Sequence, residues 1–128
     1  MRPVRRQIAD QIRDVVGSDR LDLSRPPGDD GLFGPGSATW AVHGDFTAMM
    51  AGGIASLLLQ MLHPAALAGV WDHSNFQHDM AGRLRRTAGF ISVTTYGSTE
   101  AAERMIARVR AVHTRVKGTL PDGTPYAA

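Results

Sequence analysis

The chain has 128 residues, of which 43% are hydrophobic and 20% charged, with a net charge of +2. This bounds it to one globular domain or a part of a larger one and excludes a disordered chain, and the charge is too small to argue for nucleic acid. With no cysteine, disulfides, thiolate-held zinc, iron–sulfur clusters and a cysteine nucleophile are excluded, and residues 1–20 lack the apolar core of a secretory leader, so a cytoplasmic chain is expected.

Residues 1–17 form the first predicted element. Val4, Ile8, Ile12, Val15 and Val16 recur at helical spacing among Arg2, Arg5, Arg6, Asp10, Arg13 and Asp14, and Gly17 follows as a C-cap. The pattern is an amphipathic surface helix whose arginines face solvent or, in a second reading, a membrane surface. Residues 18–36, SDRLDLSRPPGDDGLFGPG, are a Pro/Gly/Asp-rich connection. Asp29 and Asp30 are adjacent in a turn-like stretch and need not converge on a substrate. No GxxxxGK[ST] or GxGxxG phosphate loop occurs. Ser37 opens residues 37–128 as the cap of a short helix that carries Trp40 and Val42 toward the core.

The stretch from Asp45 to Ser74 dominates the chain, because no Asp, Glu, Lys or Arg lies between Phe46 and Trp71. Asp45 is an N-cap and Pro64 ends or kinks the helix near His63, which predicts a buried hairpin of two helices, 45–63 and 64–72. Ala48, Gly52, Ser56, Gln60 and His63 share one small-residue side, where another group can approach the backbone. The length approaches the roughly 20 apolar residues of a membrane span. The interior glycines, Gln60, His63 and Pro64, and the lack of flanking basic clusters, speak against one.

WDHSNFQHDM follows, with Asp72, His73, His78 and Asp79 within eight residues. His73 and His78 are five apart, which misses the helical metal-pair spacing but not a loop site. Asp79 also suits the N-cap of the next helix. That helix, 80–95, turns Met80, Leu84, Thr87, Ala88, Ile91 and Thr95 to one broad face. Arg83 lies close to this face with Thr87 one turn on, so their polar ends can meet. An arginine there either finds an anionic partner or reaches solvent, since an unpaired buried charge is costly.

Ser98 caps the last helix, with Glu100 and Glu103 near its positive end and Arg110, Arg115 and Lys117 toward its negative end. Gly118 stops it. Its apolar stripe is Ala102, Met105, Ile106, Val109, Val112 and Val116, and His113 falls in that stripe. A core-facing histidine needs a hydrogen bond, a proton partner or a metal. In the tail, Pro121-Asp122-Gly123 is a turn signal for a short hairpin ending at Tyr126. Helices this apolar have more surface to bury than this chain has partners for. A second copy, another chain or a membrane is therefore expected to cover residues 45–72 and 99–116.

GGIASLLLQMLHPAALAGVWDHSNF at 52–76, GRLRRT at 82–87, VRAVHTRVKG at 109–118 and DGTPYAA at 122–128 together resemble the N-terminal half of the MpaB and rubber-oxygenase (latex-clearing protein) family of haem-dependent oxygenase-like proteins. The resemblance covers about residues 32–128. It implies an all-α fold with a globin-like core around a b-type haem, left incomplete here because family members continue past this end. It also implies His113 as the iron ligand and Arg83 with Thr87 as the family's Arg-x-x-x-Thr pair. Gly52 and Ser56 then become candidates to let a flat macrocycle approach. The reading is a haem-b-dependent oxygenase-like domain acting on a small apolar organic substrate. The alternatives are a helical interaction or oligomerisation module without catalysis, and a non-haem metal enzyme using His73 and His78.

Overall fold

Helix starts are fixed by side chains that accept first-turn N–H groups, which otherwise have no partner. Ser37 Oγ accepts from Trp40 N at 3.2 Å and Asp45 Oδ1 from Ala48 N at 2.9 Å. His63 Nδ1 accepts from Ala66 N at 3.3 Å, Asp79 Oδ1 from Gly82 N at 2.8 Å and Ser98 Oγ from Ala101 N at 3.2 Å. The five caps open α1 (Ala38–Gly44), α2 (Phe46–Leu62), α3 (Pro64–His73), α4 (Met80–Tyr96) and α5 (Thr99–His113). A two-stranded antiparallel hairpin, β1 (Lys117–Thr119) and β2 (Pro125–Ala127), closes the chain with Gly118 opposite Tyr126. These features belong to a computed structural model that describes residues 21–128. The amphipathic helix expected over 1–17 lies outside the described residues. Among those described, the regular secondary structure is helical apart from the short C-terminal hairpin.

The tightest packing is between α4 and α5. Val93 is buried, Ala102 is fully enclosed at 0% exposure, and Thr95 and Ser98 are buried beside them. The face of α4 that packs runs through Gly82, Gly89, Val93 and Thr95. This corrects the expected inward face: Thr95 belongs to it, but Met80 and Leu84 are exposed, at 61% and 47%. The small residues let a neighbour come close, so Leu21 reaches 3.7 Å from where a Gly89 Cβ would sit.

The connection at 21–36 is laid against this pair by side chains. Asp29 accepts from Thr99 Oγ1 at 2.7 Å, Thr99 N at 2.9 Å and Gly31 N at 2.8 Å. Trp40 meets Tyr96 edge-on at 4.9 Å and Arg25 stacks over the indole at 4.9 Å, which joins α1 and the connection to α4. Val42, expected in the core with Trp40, is exposed. The Thr99 hydroxyl, followed by the backbone N–H groups, holds the Asp29 carboxyl below its ordinary value of 3.8. A depressed native value means that the stabilisation is fully present at neutral pH. It starts to fall as pH drops below the ordinary carboxylate range and is gone below the native value. Acid melts should accordingly show a wild-type stability loss beginning near pH 4 that is smaller in Asp29→Asn; equal acid sensitivity would contradict the clamp.

Two expectations about the long helices are corrected. The break between α2 and α3 falls at His63 with Pro64 in the first turn of α3, as the sequence requires, but neither helix has a buried residue among those described. Ile54, Leu57, Leu58, Met61 and Leu62 are all exposed, Leu62 at 79%. The cause is placement. Among the described elements α2 packs on α1 and α3, and its contacts with any other are slight. No single described helix is long and apolar enough to cross a membrane, and α1 with α2, which together have the length and composition, are bent by 96°.

The second correction concerns α5, which ends at His113 rather than near Gly118. Thr114 caps it, Val116 N turns back to His113 O at 2.9 Å, and Lys117–Thr119 pair with Pro125–Ala127 instead of continuing the helix. Gly123, at φ +88°, supplies the left-handed residue that the 121–123 turn needs.

Candidate functional site

An open groove of about 1640 Å³ lies between α3, α4, α5 and the hairpin, larger than ordinary ligand pockets of roughly 300–1,000 Å³. Its apolar lining comes from Val70 on α3, Phe90 on α4, Met105, Val109 and Val112 on α5, and Val116. The i, i+4, i+7 spacing on α5 puts its three residues on one stripe. Gly69 lets the hairpin close against α3, since a Cβ there would sit 3.2 Å from Val116 Cγ1.

The hairpin is tied to α3 by polar groups far apart in sequence. Tyr126 donates its hydroxyl to Asp72 Oδ2 at 2.5 Å, and His73 Nε2 donates to the Lys117 carbonyl at 3.1 Å. The hydrogen bond to Asp72, then desolvation and the Asp72 charge, raise the Tyr126 hydroxyl above its usual value. The short C-terminal hairpin thus forms one end of the groove.

His113 lines the groove from the last residue of α5. Its side chain is exposed rather than core-facing, and it makes no hydrogen bond among the described residues. Both ring nitrogens are therefore open to a ligand. Arg83 and Thr87 line the same groove from α4, but their polar ends do not meet. Thr87 Oγ1 donates to the Arg83 backbone carbonyl at 3.1 Å. The Arg83 guanidinium turns the other way, donating to Ser74 Oγ at 2.7 Å and, at a long 3.5 Å, to Gln60 Oε1. The half-buried arginine has found neutral oxygens and pairs with no carboxylate among the described residues.

Gly52 and Ser56 lie outside this groove. Nothing comes within 4 Å of a Cβ built at Gly52, and Ser56 Oγ donates to Gly53 O at 2.8 Å. His73 and His78 are not assembled as a metal site. His73 Nε2 is engaged by Lys117, Asp79 caps α4 and pairs with Arg86 at 3.2 Å, and no three His, Asp or Glu side chains gather among the described residues. The N–H of Gly82, then Arg86, hold the Asp79 carboxyl below its usual value. Sequence reasoning missed Ser74 as the partner of Arg83. Gln60 and His63 were visible as the polar end of the small side of α2, and both line the groove.

Against known families, residues 40–128 match the model described as "ER-bound oxygenase mpaB/B'/Rubber oxygenase, catalytic domain". No curated protein and no solved structure matches the chain.

Proposed function

The chain belongs to the family of ER-bound mpaB/B′ and rubber oxygenase catalytic domains, and we infer from this membership a haem-b-dependent oxygenase-like domain acting on an apolar organic substrate. The observation that carries the reading is His113: an imidazole with no hydrogen-bond partner among the described residues, at the edge of an apolar-lined groove. A histidine that ligates iron must leave the nitrogen that meets the metal uncommitted. The His113 ring has both nitrogens free among the described residues, whereas His63 commits Nδ1 to the Ala66 N–H and His73 keeps Nδ1 alone, its Nε2 donating to the Lys117 carbonyl. Val109 and Phe90, both half-buried, supply an apolar flank for a macrocycle, with Val112 exposed at the groove's edge, so the residues present fit the group.

When bound, a b-type haem supplies dioxygen binding and activation. The protein's own contributions are separate. His113 would hold the metal from the end of α5, the helix packed against α4. Arg83 braces the wall by joining α4 to Ser74 and Gln60, a positioning role. Thr87, whose hydroxyl donates to its own helix, keeps acceptor capacity alone for a ligand in the groove. The valines and Phe90 receive an apolar substrate. The protein purified from cells grown with iron should show a Soret band and release b-type haem on extraction. A colourless protein carrying another stoichiometric metal would overturn the reading.

One observation favours a second role. An uncovered α2 is an apolar face of a kind that monomers seldom expose. For the purified chain the available cover is a second copy, so self-association is expected, with a peripheral membrane as the other way to cover it. Light scattering after size exclusion should find a dimer or larger species that dissociates in mild detergent. A monodisperse monomer without detergent would contradict this.

A further inference from the structure

We propose that the ligand of this groove is an amphipathic carboxylic acid, its carboxylate held by Arg83 and its hydrocarbon body laid along α5; as a statement about substrate this rests on the oxygenase reading above. The groove has an apolar floor but a cationic wall. Arg83 and Arg86 line it from α4 and Arg108 from α5. Asp79 is the one carboxylate side chain among the described lining residues, and it is already committed to the Gly82 N–H and to Arg86. Among the described residues, Arg83 and Arg108 pair with no carboxylate.

Arg83 is the best placed of these groups. It is half-buried, and its two hydrogen bonds go to neutral oxygens, one of them long. A guanidinium has five N–H donors, so three are left, in a flat fork that matches a carboxylate in two-pronged fashion. A charge held partly out of water by Ser74 and Gln60 gains most from an anion that arrives with the ligand. Arg108 adds a second, exposed cation with no partner among the described residues. The body of the ligand follows from α5. Met105, Val109 and Val112 span seven residues, about 10 Å of apolar rail at 1.5 Å per residue, and Val116 continues it toward the hairpin. A neutral hydrocarbon would use the rail and leave the arginine wall unanswered. A small anion would do the reverse. A chain with a carboxylate at one end uses both.

The test measures binding of dodecanoate and of methyl dodecanoate to the full chain by calorimetry, below the concentration at which either aggregates. The acid is expected to bind roughly tenfold tighter than the ester, the scale of one charge-assisted hydrogen-bond pair, and the difference should shrink as salt rises. Arg83→Gln should remove the difference between acid and ester, with helicity checked by circular dichroism. Arg83→Lys, which keeps the charge without the fork, should retain a smaller preference and serves if the first variant does not fold. Arg104→Gln, outside the groove, should change nothing. Equal affinity of wild type for acid and ester would overturn the proposal. So would a preference that survives Arg83→Gln while haem uptake weakens, because the arginine would then serve the propionates of a cofactor. The visible spectrum separates this from the oxygenase reading: acid preference in a protein that takes up no haem keeps the ligand and removes the reaction, and haem uptake without acid preference does the opposite.

Discussion

Replacing His113 with alanine is expected to abolish the Soret band of the haem-loaded protein, with far-ultraviolet helicity and melting temperature nearly unchanged. The two halves of this result come from one observation. His113 is exposed and ends α5, and its side chain makes no hydrogen bond among the described residues, so truncating it leaves no unsatisfied group and falls in the class of surface changes worth within about 0.5 kcal/mol of stability. Its loss as an iron ligand has no replacement on α5. The other groove histidines should behave in the reverse manner. His63→Ala removes the cap of α3, and His73→Ala releases Lys117 from α3. Both should lower the melting temperature and leave the axial ligand in place. An unchanged spectrum in His113→Ala would show the assignment to be wrong, and a fall in melting temperature in a colourless protein would point to a packing role.

The largest stability loss from a single added methyl group is expected at Gly31. Its φ of +72° lies in the left-handed region, and a Cβ there would stand 2.6 Å from the Gly97 carbonyl oxygen. The conformation alone costs an L-residue roughly 1–2 kcal/mol, and the clash is with backbone at the end of α4, which has no rotamer to change. The chain at 31 must then move, and the Asp29 clamp on Thr99 moves with it. Gly31→Ala should lower the melting temperature by on the order of 10 °C, at several degrees per kcal/mol for a domain of this size. Gly28→Ala, also at positive φ but with nothing within 4 Å, should show only the conformational part. Equal effects at the two positions would remove the close approach to Gly97 as a cause.

Much of the local structure was legible because it is written in short-range chemistry. Ser37, Asp45, Asp79 and Ser98 act as caps where the sequence places them, Pro64 breaks the apolar stretch, and Pro121-Asp122-Gly123 turns the hairpin. The errors are of another kind. The stripe through Val109, Val112 and Val116 keeps helical period past the point where α5 stops, and only the distant pairing with Pro125–Ala127 turns Lys117–Thr119 into a strand. On α4, large apolar residues at Met80 and Leu84 looked like the core face, yet the buried positions are Gly82, Gly89, Val93 and Thr95. For the site, Arg83 was readable as an arginine in need of a partner. Which oxygens it reaches was not, because Gln60 and Ser74 are 23 and 9 residues away. The family match confirms what four ordered motifs suggested together and none carried alone.

The uneven burial of the helices has a consequence for how the protein opens. α4 and α5 hold the enclosed residues, while α2 has none among those described. Local opening follows buried contact, so backbone amides in the middle of α2 should exchange with solvent at a rate set by fraying. Those around Val93 and Ala102 should wait for global unfolding. Arg83, Thr87 and His113 all stand on the slow pair. The backbone that carries Arg83 and Thr87 thus belongs to the part of the molecule that opens last, and detachment of the apolar helix would cost Arg83 its long contact to Gln60.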